Sequence, residues 1–353
     1  MGTPDFAVGT LETLVESGHE VVAVVTQPDK PKGRSKELVF SPVKQKAVEL
    51  GIEVLQPEKA RDEEFVKKLA TYNADIFVVV AFGQILPKSI IDMPRFGCVN
   101  VHASLLPEYR GASPIQWAVI DGREYSGVTT MKMDEGLDTG DILLVKKVKL
   151  DKKETGGSLF DRLSVVGAQL LIETLKGLEE GTITPVAQDE SHSSYVKMLK
   201  KSMGELDFTK SAHDIECLIR GLNPWPSAYT HYNGKMLKIW DADVITDISD
   251  IADHGHSVTE NANAAGCDNN AGKDGNTEKA DAAGNIDAVG NVDAAYTTEK
   301  PGTVCYVDKK HLVIRCGTDY LKVNEVQLEG KKRMSTDAFL LGCRVEKGTV
   351  LGI

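Results

Sequence analysis

Asn100 and His102 carry the most pointed chemistry in this sequence. They stand two positions apart at the end of the apolar run 98–101, which reads as a buried strand, so both side chains leave the same face. A carboxamide beside an imidazole suits transfer of an acyl or formyl group. The amide donates to a developing oxyanion, and the imidazole donates a second hydrogen bond or handles a proton. Taken alone, an Asn-x-His at a strand end is more often structural than catalytic. A second group is cationic: Lys30, Lys32, Arg34 and Lys36 fall on alternate residues among Pro28, Pro31 and Gly33. The prolines and glycine are expected to keep this stretch out of regular structure. Such a loop can order on RNA phosphates, with Arg34 stacking on or clamping a base. The plainer reading is a solvated charged loop.

The elements that would position these residues follow from periodicity. Residues 1 to about 181 alternate short apolar strands (21–26, 52–55, 76–81 and 98–101) with helical stretches at 7–17 and 63–70. That alternation predicts an α/β domain with a mostly parallel, doubly wound, Rossmann-like sheet. Ligands of such sheets bind beyond the carboxyl ends of the strands, where Asn100 and His102 stand. Ser158 is expected to cap a long closing helix with Leu159, Leu163, Val166, Leu170 and Leu178 along one side. Residues 182–201 are polar and mixed and read as a linker. In 202–353, Ser211 caps a helix that Asn223-Pro224-Trp225-Pro226 ends. Strand-like segments at 228–232, 235–245, 304–307, 311–316 and 320–328 then suggest a small OB-like β-barrel.

Residues 247–300 interrupt that barrel. Of these 54 residues, 32 are Ala, Asn, Gly or Asp, too little apolar material to offset the entropy of ordering, so a disordered insertion is expected. The segment also resolves an apparent objection to an RNA partner, the net charge of −11. It holds −8 of that charge and leaves about −3 for the rest. Trp225 and Trp240 read as packing residues. The six cysteines form no CxxC pair, which excludes a disulfide framework or zinc site and suits a reducing cytosol. No apolar run of membrane-spanning length and no signal-peptide pattern is present. The expectation is a cytoplasmic monomer without metal.

The stretch NVHASLLPEYRGASPIQWA resembles the signature loop of the 10-formyltetrahydrofolate-dependent formyltransferases. About 36 residues beyond His102, MDEGLDTGD is similar to the second signature of that family. The resemblance implies a catalytic set of Asn100, His102 and Asp138, with Asp138 orienting His102 and assisting removal of the amine proton. Asp141, three residues on, is the competing assignment. The resemblance further implies 10-formyltetrahydrofolate as co-substrate. Ser104, Leu105, Leu106 and Pro107 would line its site, and Phe82 and Gly83 would belong to the pterin pocket. Family members that act on glycinamide ribonucleotide or amino sugar nucleotides share this chemistry, so it does not fix the acceptor.

Three features are similar to the members that formylate methionyl initiator tRNA. They are Gly2-Thr3-Pro4-Asp5-Phe6, the 26–36 loop, and the C-terminal part with its Asn223-Pro224-Trp225-Pro226 turn. Lys30, Lys32, Arg34 and Lys36 would then contact that tRNA. An amino sugar nucleotide acceptor and a binding protein without turnover stay as alternatives. A doubly wound domain normally opens on a strand, yet this sequence opens on the turn that follows one. A start assigned too far downstream is the preferred account. A missing inner strand would expose two ladder edges and promote aggregation or partial unfolding.

Overall fold

The computed structural model describes residues 1–32, 37–252 and 299–352. In the first half, a 3₁₀ turn at Asp5–Ala7 leads into α1 (Val8–Glu16). Strand β1 (Val24–Val25) is followed by β2 (Lys30–Lys32) and β3 (Glu37–Val39), then α2 (Pro42–Glu49) and β4 (Val54–Leu55). Helix α2 starts where the sequence dictates: the Ser41 hydroxyl accepts from the Lys44 amide, and Pro42 occupies the first turn. There follow α3 (Glu63–Ala70), β5 (Phe77–Val79), α4 (Lys88–Ile91), β6 (Cys98–His102), β7 (Arg110–Gly111) and α5 (Pro114–Ile120). Strands β8 (Tyr125–Lys132) and β9 (Ile142–Lys149) and helix α6 (Gly156–Glu179) complete the half.

β1 pairs parallel with β4, and β5 parallel with β6, as alternating strands and helices require. The sheet does not continue parallel: β6 pairs antiparallel with β8, and β8 with β9. The expectation of a mostly parallel sheet holds for the pairs from β4 to β6, and two antiparallel strands extend it at one edge. Only a short connection separates β8 from β9, and parallel neighbours need a long crossover. Between β1 and β5 lies a stub of two residues. The Gly2 amide donates to Val25, the Val80 amide donates to Met1, and Gly2 bridges Val80 in parallel. A cavity of about 480 Å³ opens beside it, lined by Val21, Val22 and Ala23 on one side and Ile76 and Val78 on the other. The strand expected over 21–26 is accordingly a regular ladder only at Val24–Val25.

Helix α6 supports the strand that carries Asn100 and His102. Its first turn is a capping box in which Thr155 is the cap and Ser158 answers from the third position. Ser158 is therefore not the cap itself, because the helix starts two residues earlier. Leu159, Leu163 and Leu171 are fully buried, each contributing roughly 1.5–3 kcal/mol relative to exposure. A Cβ on Gly167 would lie 3.0 Å from Val101, so this glycine lets the helix approach β6 closely.

The segment read as a linker contributes β10 (Tyr195–Val196), which pairs parallel with β7. Beyond it come α7 (Ala212–Gly221), β11 (Ala228–Tyr232), β12 (Lys235–Ile245) and α8 (Ser249–Ala252). Strands β13 (Val304–Val307), β14 (Leu312–Arg315), β15 (Tyr320–Leu328) and β16 (Met334–Ser335) precede α9 (Thr336–Gly342). Strands β11, β12, β15, β14 and β13 neighbour one another antiparallel in that order, with β16 on β15. A register shift around Trp240 lets the long β12 bend while it serves two partners. The sheet curves around a core that includes Leu237, Ile239, Leu321, Val323 and, from α7, Ile215 and Ile219. The expected insertion 247–300 lies largely outside the described residues. Its first residues are ordered, however: Ile248 and Ile251 are buried against Cys305 and Val313. Trp225 is 54% exposed rather than packed.

Candidate active site

Strand β6 is buried at all five positions and presents Asn100 and His102 on one face. The chain then turns back on itself, and the backbone carbonyl of Tyr109 lies 2.9 Å from His102 Nε2. A carbonyl only accepts, so Nε2 carries the hydrogen, which leaves Nδ1 to face the other way. Facing it is Asp138, whose Oδ1 lies 3.7 Å from His102 Nδ1 and 3.5 Å from Asn100 Nδ2. Both contacts are long, so neither the amide nor the imidazole is fully engaged by the carboxylate. The other oxygen, Oδ2, accepts from the Gly111 amide at 2.8 Å, which fixes the carboxylate.

The turn that brings Asp138 to β6 is held by its own polar groups. Asp134 accepts from the Gly136 amide and the Thr139 hydroxyl. Asp138 itself has φ +56, a left-handed conformation that aspartate tolerates. The competing Asp141 is exposed, and its backbone carbonyl serves the Lys132 amide. Asn100 and His102 thus converge on one carboxylate oxygen of Asp138, which lies 38 residues beyond Asn100 in sequence.

Tyr109 is locked as well as His102. Its hydroxyl donates to Asp121 Oδ2 at 2.9 Å and accepts from Arg123 Nε at 2.7 Å, and burial pushes the phenol up to about 12. The carbonyl that orients His102 therefore belongs to an anchored residue.

The residues expected to contact folate are placed less simply. Ser104 is buried and its hydroxyl donates to the Glu108 carbonyl inside the turn. Leu106 is buried, with its amide on Thr129, while Leu105 and Pro107 are half-buried. Phe82 is a core residue packed among Val79, Leu86 and Ile90. Gly83 is exposed at φ +78, and a Cβ there would meet the Gln27 amide at 2.5 Å. Glycine is thus required by the turn itself, which Gln27 closes by donating to the Phe82 and Gly83 carbonyls.

At Lys30–Lys32 the cationic stretch is a regular strand. Lys30, Pro31 and Lys32 pair with Val39, Leu38 and Glu37 in a small antiparallel hairpin. Its prolines do not prevent this, because a two-stranded ribbon leaves the outer edge of β2 unpaired. Lys30 is exposed and donates to Gln27 at 3.0 Å; Arg34 and Lys36 lie outside the described residues. Lys197, Lys200, Lys201 and Lys210 are exposed along the connection to the second half.

Sequence reasoning missed Gln188 and the role of Arg110. Arg110 is fully buried and ion-paired with Glu190 at 2.7 Å, and the Glu190 carboxylate raises its already high pKa further. Gln188 donates to the backbone carbonyls of Asp138 at 2.9 Å and Gly140 at 2.7 Å. The one signal for Arg110 was its place inside the first signature stretch, between Tyr109 and Gly111; a glutamine in a polar linker carries none.

Comparison with known proteins adds the following. The profile of the family described as formyl transferase matches residues 1–175, and that of the formyl transferase C-terminal domain matches 198–271 and 280–344. The chain is 64% identical to the methionyl-tRNA formyltransferase of Lachnospira eligens, across 100% of this chain and 98% of that protein. It is 50% identical to the enzyme of that name from Agathobacter rectalis, across 99% and 97%. Among solved structures, the sugar 3N-formyl transferase WlaRD, with dTDP and 5-N-formyl-THF, aligns at TM-score 0.59 and 15% identity over 94% of this chain and 97% of that one. An N-formyltransferase from Helicobacter canadensis, complexed with folinic acid and dTDP-3-aminofucose, aligns at 0.57 and 15% over the same shares. At these identities the structural likeness speaks for the fold alone.

Proposed function

The chain belongs to the formyl transferase family, among the methionyl-tRNA formyltransferases, and from that premise we propose that it formylates methionyl initiator tRNA through Asn100, His102 and Asp138. The donor is 10-formyltetrahydrofolate. The observation that carries the catalytic assignment is the convergence of Asn100 Nδ2 and His102 Nδ1 on one oxygen of Asp138.

In this reading the acceptor amine attacks the formyl carbon, a C–N bond forms, and the carbonyl π pair moves to oxygen. Asn100 Nδ2 donates to the oxyanion, and so does His102 Nδ1 when both ring nitrogens carry hydrogen, since Nε2–H is taken by the Tyr109 carbonyl. Asp138 takes the amine proton. The bond from carbon to N10 then breaks, its electron pair stays on nitrogen, and the proton is delivered there. The products are the formamide and tetrahydrofolate, with no oxidant or metal consumed.

Residues 1–181 hold the chemistry, and 182–201 with 202–353 assist in gripping the tRNA. Leu105 and Pro107, half-buried beyond the end of β6, suit a wall of the folate site. Ser104, Leu106 and Phe82 support that wall from behind, and Gly83 shapes its rim. Lys30, Lys32, Arg34 and Lys36 meet tRNA phosphates. The protein works as a cytoplasmic monomer in this account.

The deciding experiment offers 10-formyltetrahydrofolate with either methionyl initiator tRNA or a dTDP-amino sugar. Formyl-methionine on the tRNA and no formylated sugar is expected. Turnover of the sugar alone would replace the acceptor while keeping the chemistry.

A further inference from the structure

We propose that Gln188 and Arg110 are positioning residues for Asp138, so that the segment joining the two halves of the chain is part of the active site rather than a spacer. The proposal deepens the catalytic reading of Asp138 and rests on it for its effect on rate, though not for its geometry.

Arg110 is a wholly buried cation whose five N–H groups are all used. Nε and Nη2 donate to Gln188 Oε1 at 3.0 and 2.9 Å. Nη1 and Nη2 donate to the two oxygens of Glu190 at 3.0 and 2.7 Å, and Nη1 also donates to the Tyr195 hydroxyl at 3.0 Å. The partners Gln188, Glu190 and Tyr195 all come from the joining segment. With Oε1 turned to the guanidinium, the amide of Gln188 has one orientation available, and its NH₂ must point away from Arg110. There it donates to the carbonyls of Asp138 and Gly140.

Those two carbonyls flank the turn on which Asp138 sits at φ +56, a conformation with an intrinsic cost that the surroundings must hold. The same segment sets the other anchor of the carboxylate. β10 pairs with β7, so the Gly111 amide is aimed at Asp138 Oδ2. A Cβ on Gly111 would lie 2.7 Å from the Val196 carbonyl, a measure of how closely the two backbones meet. Asp138 is thus fixed at its backbone by Gln188 and at its carboxylate by Gly111, and both fixings depend on residues 188–196.

Gln188→Met keeps length and volume but removes both donors, together with the oxygen that Arg110 engages. Displacement of Asp138 by about 1 Å should lower kcat by roughly 10- to 100-fold, with KM for both substrates within about threefold. The same replacement in an Asp138→Asn background should cost little more, because it acts through Asp138. A second readout needs no activity: exchange of the Gly111 amide hydrogen, which is protected only while Asp138 Oδ2 accepts it, should quicken in Gln188→Met.

An unchanged Gly111 amide, or a loss that multiplies with that of Asp138→Asn, would overturn the positioning role. A released amide with Asp138→Asn as active as the parent would leave the positioning intact and remove Asp138 from catalysis. Arg110→Lys, which lacks the fork that engages Gln188 and Glu190 together, should reproduce the Gln188→Met pattern.

Discussion

Replacing Asp138 with asparagine is expected to lower kcat by about 10²- to 10⁴-fold, the usual range for loss of a positioned general base. The fold should survive it. Asparagine accepts the left-handed conformation at φ +56, and its carbonyl oxygen can still accept from the Gly111 amide. What disappears is the charge that faces His102 Nδ1 at 3.7 Å and the ability to take a proton from the attacking amine. KM for tRNA and folate should change little, because Asp138 makes no demand on ground-state binding in this account. Single-turnover rates with both substrates saturating would separate the chemical step from release. A variant as fast as the parent would remove Asp138 from the mechanism.

The largest expected effect on stability belongs to Gly140→Ala. A Cβ at Gly140 would lie 1.8 Å from the Lys132 carbonyl oxygen and 2.9 Å from its carbon. Both are backbone atoms, so no side chain can swing aside. Lys132 ends β8, and its amide donates to the Asp141 carbonyl directly across the turn. The methyl group must therefore prise open the base of the loop that carries Asp138. The cost should be roughly 3 kcal/mol, at the upper end for overpacking, together with most of the activity. Gly9→Ala is the matched control: it lies in α1 with nothing within 4 Å of the added carbon. It should raise stability by a few tenths to about 1 kcal/mol through helix propensity. Denaturant midpoints and formyl-transfer rates measured together would check both. A Gly140→Ala protein as stable and active as the parent would contradict the geometry.

How much of this was legible in the sequence depended on whether the responsible interactions were local. β11, β12 and β15 fall where alternating apolar residues place them, because one face of each is buried. The Ser211 cap of α7 was equally plain, its hydroxyl accepting from Asp214. The face shared by Asn100 and His102 follows from the two-residue period of a strand. β8 and β9 were not legible: β8 is buried on both faces, and β9 is studded with lysines, so neither alternates cleanly. The hairpin at Lys30–Lys32 was hidden by its prolines. The ordered start of 247–300 was hidden by composition, since Ile248 and Ile251 stand in a stretch otherwise poor in apolar residues.

Within the site, Asp138 was found by its resemblance to a family signature rather than by any local pattern. Gln188 had no signal at all, and the burial of Arg110 had only its place inside the first signature stretch. A residue 50 positions away that binds two backbone carbonyls depends on the tertiary fold alone. Groups that touch the reaction can leave a motif, whereas groups that hold them in place need only the right hydrogen-bonding atoms at the right distance.

The most direct test of the central claim is a double-mutant cycle between His102→Gln and Asp138→Asn, read as single-turnover formyl transfer to methionyl initiator tRNA. If His102 and Asp138 act as one unit, each single replacement should abolish most of the rate, and the double variant should be little slower than the slower single. Losses that simply multiply, or a single variant at the parent rate, would show that the two do not share a catalytic step.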